Sequence, residues 1–262
     1  MDGIVVLGSI TDAAPAHRGL AAICGSHGGL NAAAMASSAG LRAVILSDAG
    51  RGLDGAGVAG VLALAQIGMA AAAVDAGSAR IGDGADIAAR GRISVANAAA
   101  AALGVAPGMA AHAAAERLRA APLPQGVLTA PPEARRTVRV GALTVLLVDS
   151  ASQITAQDAG GVVLTGSHGG LVGGDPKRAL KAPMRLGVFN DAGIGADDAG
   201  VARLGALERA GQAGATVSHD SARIGDAASM LSGGVISRAN GPAREMGLRE
   251  GLALREVLAA LP

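Results

Sequence analysis

Two histidines stand in identical settings: Gly25-Ser26-His27-Gly28-Gly29-Leu30 returns letter for letter as Gly166-Ser167-His168-Gly169-Gly170-Leu171. Histidine titrates near neutrality, so His27 and His168, each at the end of an apolar run, are candidate general bases. The pairs Gly28-Gly29 and Gly169-Gly170 let backbone approach a ligand closely, and their N–H groups are candidate donors to an anion or a developing oxyanion. Ser26 and Ser167 would contact the same substrate.

Two further blocks are duplicated. Asp48-Ala49-Gly50-Arg51-Gly52 recurs as Asp191-Ala192-Gly193-Ile194-Gly195, and Ser78-Ala79-Arg80-Ile81-Gly82-Asp83 recurs as Ser221-Ala222-Arg223-Ile224-Gly225-Asp226. Asp48 and Asp191 could orient an imidazole or take a proton, or they could simply form turns with the glycines that follow. Ser78 and Ser221 arrive from another strand end and are candidate nucleophiles or water-positioning groups. Arg80 and Arg223 offer a planar fork to a carboxylate or phosphate; the alternative is an internal ion pair with Asp83 or Asp226. Ser94 and Ser237 could cap the third helix of each half, with Asn97 and Asn240 three residues later either completing that helix start or facing a ligand. A metal would require a tighter ligand spacing than His27, Asp48 and Asp83 supply, so none is expected, and no dinucleotide or P-loop fingerprint calls for a cofactor.

The elements that must carry these blocks follow from the pattern between them. Short continuous apolar runs alternate with Ala/Leu-rich stretches, which predicts parallel strands covered by helices. Strands are expected at 4–7, 20–24, 42–46 and 70–74, with partners at 145–148, 162–165, 185–189 and 214–217. Helices are expected near 30–38, 55–67, 95–103 and 109–119, with second-copy helices starting near Pro176, Asp198, Arg238 and Leu252. Asp54, Asp197 and Asp175 sit where helix caps belong. The fold class is therefore α/β: a tandem duplication of a parallel-sheet unit with helices on both faces, a Rossmann-like three-layer arrangement in two pseudo-symmetric halves. Residues 1–120 and 137–262 are the repeats, and 121–136, with Pro122, Pro124, Pro131 and Pro132, reads as the linker. In such sheets ligands bind beyond the carboxyl ends of the strands, and all three blocks fall there.

Composition narrows the function. The chain has 262 residues, a net charge of +1, no Trp, no Tyr and a single Phe. It therefore lacks both the basic footprint and the stacking platforms of nucleic-acid binding. The uncharged run 56–74 is matched in the second copy by Arg203, Glu208 and Arg209, which argues against a membrane span. The start at Met1-Asp2-Gly3-Ile4 is not that of a secretory signal, and with one cysteine, Cys24, a cytoplasmic location is expected.

Together these features predict a hydrolase opening an amide or related C–N bond in a small carboxylate- or carbonyl-bearing substrate. The alternatives are an isomerase or racemase using opposed groups of the two repeats, and a small-anion binding protein. A small molecule is the expected partner, with self-association left open.

Overall fold

The structure is a computed structural model that describes residues 3–262; the start at Met1-Asp2 lies outside the described residues. The first half contains β1 (Ile4–Leu7), β2 (Ala21–His27), α1 (Leu30–Ser38), β3 (Ala43–Ser47), α2 (Ala59–Ala63), β4 (Ala70–Val74), α3 (Gly84–Arg90), β5 (Ile93–Ala96), α4 (Ala98–Ala102) and α5 (Ala111–Leu118). Its sheet runs β1-β2-β3-β4-β5; the first four strands are parallel and β5 is antiparallel. The second half contains β6 (Arg135–Val140), β7 (Leu143–Val148), β8 (Val162–His168), β9 (Leu186–Asn190), α6 (Ala202–Arg209), β10 (Ala213–Val217), α7 (Ala227–Gly233), β11 (Ile236–Ala239), α8 (Gly241–Glu245) and α9 (Leu254–Ala260). Its sheet repeats the order and adds β6 antiparallel to β7. The last two residues of the expected linker, Arg135 and Arg136, thus open a strand.

Burial on both faces explains the continuous apolar strands. In the first half Ala22, Cys24, Val44 and Leu46 face α1 and α2, while the alternate residues Ala21, Ile23, Ala43 and Ile45 face α3 and α5. Strand β4, with four successive alanines, has poor intrinsic strand propensity, yet all its residues are buried. Packing between two helical layers overrides that preference. The strands follow one another in sequence order, so their winding does not reverse and each of α1 and α2 lies on the same face. Such a sheet has no internal switch point to open a crevice. The crevice forms where the halves meet.

Several expected elements differ. Val95 and Arg238 lie in strands β5 and β11, and the helices begin only after Asn97 and Asn240. Asp175 caps only a three-residue 3-10 turn, its Oδ1 accepting from Lys177 N at 2.9 Å. Asp54 and Asp197 are not caps: they adopt left-handed backbone at φ 55° and 57° inside 3-10 turns. No helix among the described residues is long and apolar enough to cross a membrane. The run 56–74 is broken by a turn at Gly68, φ 68°.

The halves meet through reciprocal contacts. Leu53 N–H donates to His219 O and Ala196 N–H to Ala76 O, both at 2.8 Å. Arg80 pairs with Asp197 at 3.1 Å, and Arg223 pairs with Asp54. Each contact is the counterpart of the other with the halves exchanged, the signature of a twofold relation. At the centre, a Cβ on Gly50 would lie 3.0 Å from Gly193 Cα, so glycines stand back to back on the pseudo-axis.

Candidate functional site

The paired histidines end the second strand of each half. Strand β2 is irregular between Ile23 and His27, and β8 between Leu164 and His168. Four residues on β2 span the distance of two on β3. This bulge breaks strict alternation and brings both Ser26 and His27 to one cleft. Gly25 permits it: Gly82 N–H donates to Gly25 O at 2.8 Å, and a Cβ there would sit 2.4 Å from Gly8 O. The second half repeats the arrangement at Gly166, where Gly225 N–H donates to Gly166 O.

Each imidazole is held in one tautomer. His27 Nδ1 accepts the Gly29 N–H at 3.1 Å, and His168 Nδ1 accepts the Gly170 N–H at 3.1 Å. The proton of the neutral ring is therefore assigned to Nε2. Neither Nε2 has a protein partner among the described residues, and neither is sealed: the one buried side-chain N or O without a partner there is Nε of Arg203. Burial pushes His27 down to about 4. Burial, the Arg203 charge and the neighbouring His27 push His168 down to about 3. Both rings are thus neutral at pH 7 with Nε2–H unpartnered among the described residues, an arrangement suited to donating a hydrogen bond rather than to the general-base role expected from sequence.

The glycine donors are spent. Gly28 N–H donates to Ser47 O and Gly169 N–H to Asn190 O, both at 2.8 Å, while Gly29 and Gly170 serve the imidazoles. None remains for an oxyanion. The glycines are instead required for space: a Cβ on Gly28 would lie 2.7 Å from Gly57 O, and one on Gly29 2.7 Å from its own histidine ring. Ser26 Oγ accepts Ile10 N–H, and Ser167 Oγ accepts Ala151 N–H, both at 2.9 Å. Both serines line the cleft, each with its O–H available to donate.

The remaining duplicated residues serve the scaffold. Ser78 Oγ donates to Asp75 O at 2.7 Å and accepts Arg92 N–H at 2.9 Å; Ser221 does the same with Ser218 O and Val235 N–H. Both hydroxyls are committed to turns, away from the imidazoles, so neither is poised as a nucleophile. Asp48 accepts from Gly50 N, Ala76 N and Ser94 Oγ, and Asp191 from Gly193 N, His219 N and His219 Nδ1. They organise the seam. Asn97 and Asn240 are buried helix caps; each accepts two backbone N–H groups and donates to two carbonyls. Asp83 and Asp226 cap α3 and α7. Arg80 is occupied by Asp83, Asp86 and Asp197, the internal-pair alternative. Arg223 and Asp226 border the cleft, with Arg223 Nε on Asp54 at 2.7 Å.

The cleft, about 1200 Å3, lies between the halves. His27 and His168 share it, and each ring abuts the opposite half: a Cβ on Gly225 would lie 3.7 Å from His27 Cε1, and one on Gly82 3.4 Å from His168 Cε1. Three of the six blocks line this one cleft: the two histidine blocks and the edge of the Arg223 loop. Among the described residues no group of three or more His, Cys, Asp and Glu could hold a metal ion.

Of the charged cleft residues that the repeats did not mark, two bear most directly on its chemistry. Glu133 lies in the segment joining the halves, and burial and the Asp149 charge raise its pKa. Arg203 in α6 is 4% exposed. Its counterpart is Gly60, whose place against Gly29 O and Ala33 leaves room for α1. In the second half only 3-10 turns follow the histidine, and Arg203 fills the vacated space, donating to Gly170 O at 2.8 Å and to Ala179 O. An outlier between duplicate copies was the available sequence signal for Arg203; Glu133, in the unduplicated joint, left none. Comparison with protein-family models, curated proteins and solved structures returns no match.

Proposed function

We propose that the cleft hydrolyses an amide or related C–N bond in a small carbonyl- or carboxylate-bearing substrate. The observation that carries this reading is the pair of neutral imidazoles presenting free Nε2–H groups to one cavity. Two preorganised donors aimed at one carbonyl stabilise the oxyanion that forms when water adds. Ser26 and Ser167 orient the substrate with their unspent O–H groups. Glu133, shifted toward neutrality, takes the proton of the attacking water and returns it to the departing nitrogen as the tetrahedral adduct collapses.

A racemase would need two bases, and rings whose conjugate acids titrate near 4 and 3 are poor ones. The second reading is a small-anion binding protein. It draws support from Ser78, Ser221, Asp48 and Asp191 all being tied to the scaffold, which leaves no side-chain nucleophile of the expected kind.

A panel of small amides, ureides and cyclic imides, assayed for ammonia or carboxylate release, tests the proposal. His27→Asn and His168→Asn keep an acceptor for the glycine N–H and remove the Nε2 donor. Each should lower kcat by about 100-fold or more, whereas His→Gln variants, which return an N–H near the Nε2 position, should recover part of it. Unchanged turnover in the double Asn variant would refute the assignment. Tight binding of small anions with no product from any member of the panel would favour the second reading.

A further inference from the structure

We propose that the second half's lobe of the cleft is a subsite for a single carboxylate group, with Arg203 as its counter-charge. This deepens the proposed function, on which it rests for the identity of the cleft.

The argument begins with an uncompensated charge. Arg203 is almost wholly buried, yet no Asp or Glu among the described residues lies within ion-pair distance of it. Its guanidinium contacts are two backbone carbonyls, Gly170 O and Ala179 O, and the face of Phe189 at 4.8 Å. Its Nε–H has no acceptor. A buried cation without an anion, and with a donor unsatisfied, is strongly disfavoured unless something outside the chain completes it. Nε itself is sealed, but the residue lines the cleft, so an anion seated there can offset the charge of the guanidinium.

The surroundings choose the class. Lys177 and Lys181 line the same wall; Lys181 Nζ reaches Ser152 O at 2.5 Å and has further donors to offer. His168 Nε2–H and Ser167 O–H are neutral donors on the same side. Opposing them, Glu133 and Asp149 also line the cleft, which penalises a dianion. A planar monoanion, accepting from the guanidinium, the imidazole and the hydroxyl, fits this balance better than phosphate does. The first half has no equivalent charge, because Gly60 stands at that position and α1 occupies the space. The substrate is therefore inferred to be asymmetric, with its carboxylate toward His168 and its uncharged end toward His27, Leu30 and Met35.

Binding can be read without turnover. The protein is titrated separately with acetate, acetamide and inorganic phosphate at matched ionic strength, following Tm and the Cε1–H resonances of the histidines. Acetate should raise Tm and move the His168 signal ahead of His27, acetamide should do neither, and phosphate should act more weakly than acetate. Arg203→Met should weaken half-saturation by acetate at least about tenfold, the loss of one charge-assisted contact. Arg203→Lys, which keeps the charge, should give an intermediate value and serves if the Met variant does not fold. Equal responses to acetate and acetamide, a first response at His27, a phosphate response as strong as that of acetate, or an unaltered acetate response in either variant would overturn the subsite. Arg203-dependent acetate binding without amide cleavage would retain the subsite and discard the hydrolase. Cleavage of a carboxylate-bearing amide with KM unaltered in both Arg203 variants would do the reverse.

Discussion

Replacing both cleft histidines by asparagine should flatten the acid limb of the stability curve. In the folded chain His27 and His168 stay neutral down to about 4 and about 3, whereas in the unfolded chain each takes up a proton near 6.5. Between those values the unfolded state binds more protons, so stability rises with pH: the contribution is present above 6.5 and is lost as pH falls toward the folded values. With 1.36 kcal/mol per unit of displacement, each ring accounts for about 2 kcal/mol between pH 7 and pH 5. His27 is the more exposed ring and contributes the smaller share, so the pair should account for about 3 kcal/mol. His219 works in the opposite sense. Its bond to Asp191 raises its pKa, giving stability that is present below 6.5 and lost as pH rises through the folded value. The quantity to measure is therefore the difference between parent and double variant in urea-unfolding free energy at pH 7 and pH 5, together with the NMR titration of each ring. A ring titrating at or above 6.5, or a double variant with the parental slope, would refute the reasoning.

Three other outcomes follow from the geometry. Ser78→Ala and Ser221→Ala should leave turnover within about twofold and lower unfolding free energy by about 1 kcal/mol each, because Arg92 N–H and Val235 N–H lose their acceptors. Asn97→Ala should cost about 3 kcal/mol in a urea melt, since it removes a cap and strands buried backbone groups. Gly50→Ala should cost at least about 2 kcal/mol. That residue has φ 72°, and its Cβ would meet the His219 ring at 2.8 Å and Gly193 Cα at 3.0 Å; a variant as stable as the parent would remove the close approach of the halves from consideration.

The sequence made the framework legible where physics acts locally. Runs such as Ala70–Val74 and Val162–Thr165 announced themselves as buried strands, and the helix at Leu30–Ser38 was visible from its flanking glycines. The duplicated blocks marked residues under constraint, but repetition alone does not separate chemistry from architecture. Asn97, Asp48 and Ser78 recur because each satisfies several buried or strained backbone groups, a requirement as strict as catalysis. The histidines stand at the strand ends where they were expected, but which ring nitrogen faces the cleft could not be foreseen, because the N–H that fixes their tautomer comes from a glycine whose position only the fold reveals. The last residues of strands β5 and β11 were read as helix because these four-residue segments carry no clear period and run directly into helices. Arg203 was hidden for the opposite reason: what mattered was its difference from Gly60, not its recurrence.

The back-to-back glycines on the pseudo-axis have a consequence for how such a cavity can specialise. Were the halves separate identical chains, every change to one wall would appear on the other, and a lone arginine could only be gained in pairs. Joined in one polypeptide, the two walls are free to differ, so a cavity with matched donors can tell one end of its guest from the other.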